Sequence, residues 1–538
     1  MARSIRPLLR GMAVALGLAL ACFPCFAKGS SEKTADRAAG TSTGRYPDKL
    51  KVFGVLSEHV SKVGATSNND LYVYKEVEKI TGTKVTWIHP AVGADIDMAI
   101  NLMVASKDLP DLIVKAKWKD ASGGVASWVT DGTLCDLTKR IPESMPAYWK
   151  TVQGIPGAIN DLYVDGKLYY VAEIGHGSAY RGPVLRGDWL RKLNQKFPTT
   201  VGELYDVLTA IRKGDPNGNG KADEWPMSDL AFQDQNFGLG HLLWPFGVHW
   251  GFLQVDGKVT FGPLQPEFAE AMAYIRKLYA EGLIDPDYAT QDRNSLDGKF
   301  MNHLVGYEYG MQPTKMNGAL NGAGGFAAEG TLNMKRDAAG PAYVFGSEYI
   351  AYISSNSDTA VTTKCREPGK ALSWIDFFFT DEGVKLGNWG IEGLSHKMVD
   401  GKPVYDFTGA LALRKDLDAN SVKYMFLLMS LSTFPTRQTL PAYYATLHPL
   451  SATAIDGWNK VADKSRILPN VSLSQKERES INDRLVDINT YIAIQYDKLV
   501  TGQTPIAEIP AIQKRLVDMG INDCIKVYQA AYDRYLRK

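Results

Sequence analysis

The chain has 538 residues, a formal net charge of +1, 45% hydrophobic residues and 10% aromatic residues. This length predicts two or three domains, and the composition excludes a largely disordered protein. The near-neutral charge gives the chain no electrostatic reason to bind nucleic acid or an anionic membrane. Three of its five cysteines, Cys135, Cys365 and Cys524, are single and far apart and form no CxxC pair or Cys/His cluster, which argues against a disulfide framework or a zinc site.

Residues 1–27 have the three parts of a secretory signal peptide. Three arginines precede an apolar run, residues 11–21, that is too short to span a bilayer. Cleavage has two candidate positions. Cys22 ends a loose lipobox, ALAC, and would carry a lipid anchor, whereas small residues also permit ordinary cleavage after Ala27. Either cut removes three positive charges and no negative ones, so +1 becomes −2. We expect an exported protein, periplasmic or lipid-anchored at the cell membrane.

The predicted elements begin after a polar, flexible leader at residues 28–48. The stretch from residue 50 to residue 115 reads as strand, helix, strand, helix and buried strand, the βαβαβ order of a mostly parallel sheet covered by helices. Asp-Gly pairs at Asp165, Asp256 and Asp400 predict three hairpins. The chain is therefore expected to be an α/β protein.

Helices are predicted where apolar residues repeat at helical spacing between capping signals. Thr200 and Glu203 form a capping box, as do Ser474 and Glu477 at the start of a long helix that stops at Gly502. Further helices are expected at residues 266–281 and 367–379, and the C-terminal quarter of the chain is expected to be helical.

The loop GDPNGNGKADEWP follows the first capped helix and has the spacing of a calcium site. Its oxygen-bearing side chains occupy positions one, three and five, Gly220 permits the sharp turn at position six, and Pro226 replaces the glutamate that an EF-hand needs at position twelve. The alternative is an Asn-Gly-rich turn without metal. We predict a structural Ca²⁺ bound by Asp215, Asn217, Asn219, the main-chain carbonyl of Lys221, Asp223 and Glu224.

Catalytic signatures such as GxSxG, HExxH and a Walker loop are absent from the sequence. Aromatic residues beside glycines and turns could instead stack on sugar rings, while arginine and carboxylate groups bind the sugar hydroxyls. The candidate ligand-binding residues are Trp244, Trp250, Tyr307, Trp389, Arg186 and Glu392. The alternative is that most of these aromatic residues belong to the core.

Several segments resemble the large solute-binding proteins of bacterial ABC importers, in the branch of alginate- and oligosaccharide-binding lipoproteins. The most specific is RGDWLRKLNQKFPTT with the calcium loop that follows it. Others are ASKDLPDLIV, DGKLYYVA, TDEGVKLGNWGIEG and GINDCIKVYQAAYDRYL. The resemblance runs from about residue 50 to the C-terminus, and Trp389 stands where tyrosine is commoner in the family.

The resemblance implies a type II-like periplasmic-binding-protein fold of two α/β lobes with extra C-terminal helices. Lobe 1 is expected at residues 49–180 and about 345–430, and lobe 2 at residues 181–344 and about 431–538, with hinges near residues 180 and 345. The family's calcium site maps onto the six loop residues without a departure, and the family has no catalytic residues.

We therefore predict a monomeric receptor that captures a saccharide in the interlobe cleft and delivers it to an ABC permease. A secreted carbohydrate-active enzyme, or a peptide or signal-ligand receptor on the same fold, is the alternative.

Overall fold

The computed structural model describes residues 44–537 with internal gaps. The residues outside the description are 1–43, 116–117, 119–123, 156, 235–237, 312–316, 318–324, 347–348, 350–352, 430, 432–433 and 538. The predicted signal peptide, Cys22 and most of the predicted leader therefore lie outside the described residues.

The first part of the described chain alternates strands and helices. Gly82 ends the second helix with φ +72°, a conformation that suits glycine. The elements are β1 (Lys49–Phe53), α1 (Glu58–Lys62), α2 (Tyr72–Thr81), β2 (Lys84–Ile88), α3 (Ile96–Ser106), β3 (Leu112–Val114), α4 (Val125–Thr130), α5 (Arg140–Ser144), α6 (Pro146–Gln153), α7 (Ala158–Leu162) and β4 (Val171–Ile174).

The middle of the chain contains the predicted capping box of Thr200 and Glu203, with both of its hydrogen bonds formed. Its elements are β5 (Arg181–Arg186), α8 (Gly187–Lys192), α9 (Val201–Lys213), β6 (Trp225–Met227), β7 (Phe252–Val255), β8 (Lys258–Phe261), α10 (Phe268–Ala280), α11 (Arg293–Met301), β9 (Val305–Met311), β10 (Ala328–Gly330) and β11 (Ala342–Tyr343).

The last part is mainly helical, as predicted, and Ser474 forms the expected capping box with Glu477. Its elements are β12 (Ile353–Val361), α12 (Pro368–Phe377), α13 (Asp381–Trp389), β13 (His396–Val399), β14 (Lys402–Tyr405), α14 (Thr408–Leu413), α15 (Ala419–Val422), α16 (Leu440–Ala445), α17 (Pro449–Val461), β15 (Ala462–Asp463), α18 (Gln475–Thr501), α19 (Ile509–Asp518) and α20 (Ile521–Leu536). In the part of the chain that the structure describes, no helix is both long and apolar enough to cross a membrane.

Two larger sheets organise the fold. The first has the order β2-β1-β3-β12-β4; β1 is parallel to β2 and β3, which confirms the predicted βαβαβ unit, and β12 is antiparallel to its neighbours. The second has the order β10-β5-β9-β6, in which β6 and β9 are parallel and the other pairs are antiparallel. The second sheet is thus less parallel than predicted, because β5 runs opposite to β9 and β10 opposite to β5.

All three Asp-Gly pairs form the predicted hairpin turns. In each pair both residues have positive φ, for example +49° at Asp256 and +80° at Gly257, which is the geometry of a type I′ turn. The second and third turns join β7 to β8 and β13 to β14, and the first forms a single bridge between Val164 and Lys167.

The buried apolar residues form two large clusters and a smaller third one. The first draws on residues 50–174 and 360–442, and the second on residues 179–349 and 467–524. The third includes Val184, Phe300 and Trp458 and lies against β5 and β10. The chain leaves the first cluster after residue 174, returns to it before residue 360 and leaves it again after residue 442.

Candidate functional site

The loop between α9 and β6 is a tight turn organised by its first carboxylate. Asp215 accepts backbone N–H groups from Gly218 (2.8 Å), Asn219 (3.1 Å) and Gly220 (2.8 Å). These bonds lower the pKa of Asp215, that from Gly220 contributing most. Gly218 and Gly220 both have φ +76°, so the turn uses glycine where the backbone is left-handed. The carboxylate at position one thus binds the backbone of position six, as the predicted loop requires.

The two amide side chains of the loop turn toward its second carboxylate. Asn219 donates from Nδ2 to both oxygens of Asp223 at 3.1 Å, and Asn217 donates to Asp223 Oδ1 at 3.2 Å. The amide oxygens in turn accept backbone N–H groups, from Asn219 at 2.9 Å and from Lys221 at 2.7 Å. The predicted ligands therefore lie together in one hydrogen-bonded turn.

Glu224 is the most enclosed carboxylate of this loop, being 2% exposed. Its Oε1 accepts the backbone N–H of Asn217 at 3.2 Å. Burial raises the pKa of Glu224, and the nearby carboxylates of Asp215 and Asp223 raise it further. A divalent cation among these oxygens would relieve the repulsion between the carboxylates, and hard oxygen ligands suit calcium.

Amide and main-chain oxygens would have to complete the coordination. Among the described residues, no three His, Cys, Asp or Glu side chains are grouped closely enough to hold a metal by themselves. The donor set of the loop therefore fits a calcium ion only when Asn217, Asn219 and the Lys221 carbonyl take part.

Two of the predicted ligand-binding aromatics, Trp244 and Tyr307, are buried in the second cluster, with 5% and 0% of each residue exposed. Tyr309 packs edge-on against Trp244 at 5.2 Å between ring centroids. His241 stacks on Tyr309 at 4.6 Å, and its Nε2 lies 2.9 Å from Tyr307 Oη. Protein atoms cover both predicted stacking residues in this conformation.

Trp250 is half-buried at the margin of the same cluster. Its ring lies 4.1 Å from that of His249, which is also 5.3 Å from Phe345. Its carbonyl accepts the hydroxyl of Tyr496 at 2.6 Å, so α18 holds this segment in place.

Trp389 and Glu392 lie with the first cluster, not with the other candidates. Trp389 ends α13, is 9% exposed and packs 4.6 Å from the Tyr405 ring of the β13–β14 hairpin. Its carbonyl accepts the Ser395 hydroxyl at 2.8 Å. Glu392 is exposed and forms an ion pair with Lys385 at 3.1 Å.

Arg186 is placed apart from the other five candidates. It ends β5, and the β5–β9 register pairs Leu185 with Tyr307 and Arg181 with Met311. Arg186 therefore lies beside the amino end of β9, at the end of the sheet where the calcium loop leads into β6. The six predicted ligand residues thus form three groups: Trp244, Trp250 and Tyr307; Trp389 and Glu392; and Arg186.

A buried polar cluster at the carboxyl ends of β6 and β9 was missed by sequence reasoning. Asp229 is fully buried, accepts the Tyr309 N–H at 2.8 Å and lies 3.7 Å from His241 Nδ1. Burial raises the pKa of Asp229 well above its usual range and lowers that of His241 to about 4. Glu308 is an ion-pair partner of Arg293 at 3.3 Å. The signal that could have found the cluster is a polar residue directly after a strand, as in PMSD.

The segments that connect the two large clusters are tied to one another. Ile174 donates its N–H to Thr436 at 2.9 Å and accepts that of Gln438 at 2.8 Å. His176 stacks on Tyr443 with ring centroids 4.0 Å apart. The first crossing, after β4, therefore runs beside residues 436–443, where the chain leaves the first cluster for the last time.

No protein-family model matches the chain. It is 24% identical over 498 residues to the fructooligosaccharide ABC transporter substrate-binding protein FusA of Streptococcus pneumoniae, which covers 87% of each chain. It is 25% identical over 389 residues to lipoprotein LipO of Bacillus subtilis, covering 69% of this chain and 71% of LipO. It is 24% identical over 332 residues to the polygalacturonan/rhamnogalacturonan-binding protein YtcQ of the same organism, covering 61% and 64%.

Solved structures show the same fold. Alginate-binding protein AlgQ2, solved without calcium ion, superposes with a TM-score of 0.68 at 21% identity and covers 90% of this chain and 98% of AlgQ2. An EF-hand mutant of FusA in complex with fructo-nystose superposes with a TM-score of 0.67 at 21% identity, covering 91% and 99%. The predicted two-lobe α/β fold and the predicted resemblance to solute-binding proteins are thereby confirmed: along most of its length, this chain is similar to substrate-binding proteins of ABC transporters.

Proposed function

We propose that the protein is an exported solute-binding protein that captures an oligosaccharide or sugar-derived ligand and delivers it to an ABC permease. The observation that carries the proposal is the similarity to FusA, which extends over 87% of both chains. Export follows from the signal peptide predicted at residues 1–27. Attachment through a lipid on Cys22 and a monomeric state are further parts of this proposal.

The ligand would bind between two lobes built on the two large hydrophobic clusters. From the sequence we place the lobes at residues 49–180 with about 345–430 and at residues 181–344 with about 431–538, with hinges near residues 180 and 345. The first cluster extends past these bounds to Ala442, and the second to Tyr349. In open α/β sheets, ligands bind outside the carboxyl ends of the strands. The cluster of Asp229, His241 and Tyr309 lies at that end of the second sheet.

Ligand contact is assigned to Trp244, Trp250, Tyr307, Trp389 and Glu392. Trp250 is the most accessible of the four aromatic residues, since Trp244, Tyr307 and Trp389 are each at least nine-tenths buried. Binding to Trp244 or Tyr307 would require that side chains move when the lobes open and close. Arg186 is not included in this set, because it lies at the other end of the sheet.

Calcium is proposed as a structural ion held by Asp215, Asn217, Asn219, the Lys221 carbonyl, Asp223 and Glu224. The clustering of these residues in one turn supports it, and so does the raised pKa of Glu224 in the absence of a cation. Among the similar structures, AlgQ2 was solved without calcium ion and FusA as an EF-hand mutant, which also supports a calcium loop in this protein. The ion would offset two of the three carboxylate charges of the loop and anchor α9 to β6.

A carbohydrate-active enzyme is the alternative from another class, although the similar proteins are named as binding proteins. Isothermal titration of the mature protein with kestose, nystose and oligogalacturonides tests the proposal, and chromatography of the recovered ligand separates the two classes. A binding protein gives saturable binding and returns the saccharide intact. Cleaved products would establish the enzyme, and an absence of binding to any saccharide would favour a peptide or signal-ligand receptor.

A further inference from the structure

An open cavity of about 510 Å³ lies beside the calcium loop, at the amino ends of β6 and β9. One wall is formed by Arg186 and α8, and another by Asn217 and Asn219 of the loop. The volume is within the range of small-molecule sites. The cavity lies at the end of the sheet opposite to the proposed saccharide site, so a saccharide bound there would not fill it.

Arg186 is held rigidly in this cavity wall. Its side chain is 2% exposed, and it donates from Nε and Nη2 to the two oxygens of Asp188 at 2.9 and 2.6 Å. Its Cζ lies 4.4 Å from the ring centroids of both Trp189 and Phe326. The two aromatic rings thus fix the plane of the guanidinium, and Asp188 occupies the edge formed by Nε and Nη2.

The remaining nitrogen of the guanidinium, Nη1, is buried and has no hydrogen-bond acceptor among the residues that the structure describes. An unpaired donor on a buried charged group is costly, because it has lost water without gaining a partner. A ligand oxygen is one partner that would complete the bonding of such a group, and arginine is the residue best suited to carboxylate and phosphate oxygens. Nη1 therefore marks the position of a missing acceptor.

The charges around the cavity favour an anion. Arg191 and Lys192 line it together with Arg186, against the single carboxylate of Asp188. Arg191 is also paired with Glu329 at 2.8 Å, and Lys192 donates to the Pro216 carbonyl at 2.7 Å, which holds its ammonium group near the loop. Calcium in the loop would offset two of the three negative charges of Asp215, Asp223 and Glu224. We propose that this cavity binds the carboxylate or phosphate group of a small ligand, with Arg186 Nη1 donating to it and Lys192 adding charge.

The test measures the ¹⁹F signal of labelled Trp189, because its ring stacks on the Arg186 guanidinium and should sense an anion that binds there. The mature protein is labelled with 5-fluorotryptophan, the Trp189 signal is assigned with Trp189→Phe, and ¹⁹F spectra are recorded in calcium buffer during titration with methyl phosphate or sodium acetate. Sodium chloride at equal ionic strength is the control. We expect the Trp189 signal to shift saturably with at least one probe and not with chloride, and the probe that saturates identifies the anionic group.

Variants connect that shift to the cavity. Arg186→Gln should abolish it, whereas Arg276→Gln, remote from the cavity, should leave it unchanged. If Arg186→Gln fails to fold, the exposed Lys192→Gln serves in its place and should weaken the affinity about tenfold by removing one charged donor. A Trp189 signal that neither probe moves, or that chloride moves equally, would overturn the proposal, as would an unchanged affinity in Lys192→Gln. The result does not depend on whether the protein binds saccharide.

Discussion

Replacing Glu224 by glutamine tests the calcium loop, because the effect should change sign with the metal. Without calcium, burial and the carboxylates of Asp215 and Asp223 raise the pKa of Glu224, so the folded state binds its proton more tightly than the unfolded state. Such an acid lowers stability as the pH rises above the ordinary value of 4.5. At neutral pH, neutral glutamine removes that penalty, and the metal-free Glu224→Gln protein should melt at the same temperature as wild type or higher.

With calcium, the same substitution should lower stability. Calcium at about one hundred times its Kd stabilises a fold by about 2.7 kcal/mol. Glutamine keeps one oxygen but removes one of the three loop carboxylates. If the Kd rises about tenfold, the same calcium concentration contributes about 1.4 kcal/mol. For a chain of this size the difference corresponds to about 1 °C in melting temperature.

Differential scanning calorimetry in chelator and in calcium measures both effects. Asp206→Asn is the matched control, because Asp206 is exposed on α9 outside the loop and should respond to calcium like wild type. A wild-type melting temperature that calcium does not raise would refute the metal assignment. An equal calcium-induced rise in Glu224→Gln would show that Glu224 is not a ligand.

Three further predictions concern the backbone, the cleft and pH. Gly220 and Gly202 both have open space for a Cβ, so the two alanine variants differ only in backbone conformation. Gly220→Ala should destabilise the fold by about 1 kcal/mol, since the φ of Gly220 is +76°, whereas Gly202→Ala in α9 should stabilise it by up to about 1 kcal/mol. Urea unfolding measures both changes. Trp250→Ala should cost about 1–3 kcal/mol of saccharide affinity in calorimetric titration, and unchanged binding would remove Trp250 from the site. Burial lowers the pKa of His241 to about 4 and that of His249 to about 3, so the unfolded state binds protons more tightly than the folded state. The stability of the fold should therefore fall as the pH drops below 6.5 toward these values. A melting temperature that is flat over this range would contradict the assignment of both histidines as buried and neutral.

Local signals in the sequence predicted local structure well. The capping boxes at Thr200 and Ser474 and the Asp-Gly turns each depend on a few neighbouring residues, and the structure forms all of them. The calcium loop is also a local signal, because its potential ligands all lie within residues 215–224. The parallel β1–β3 unit also followed from sequence order, since strands joined by helices pair in parallel.

The division of the six candidate ligand residues into three groups depends on long-range packing, and neighbouring residues in the sequence could not predict it. Tyr307 and Tyr309 alternate with Glu308 along β9, which looks like a strand with one exposed face. Both faces are in fact covered, by His241 on one side and by the Arg293–Glu308 pair on the other. The direction of β5, which carries Arg186 away from the carboxyl ends of β6 and β9, likewise depends on sheet order.

Small-angle X-ray scattering with and without a bound saccharide tests whether the two lobes close on the ligand. We expect closure, since contacts with both lobes stabilise the closed state. With an oligosaccharide shown by calorimetry to bind, the radius of gyration should fall at saturation while the ligand is recovered intact. Scattering profiles of the saturated and the free protein that coincide would rule out a receptor that closes on its ligand.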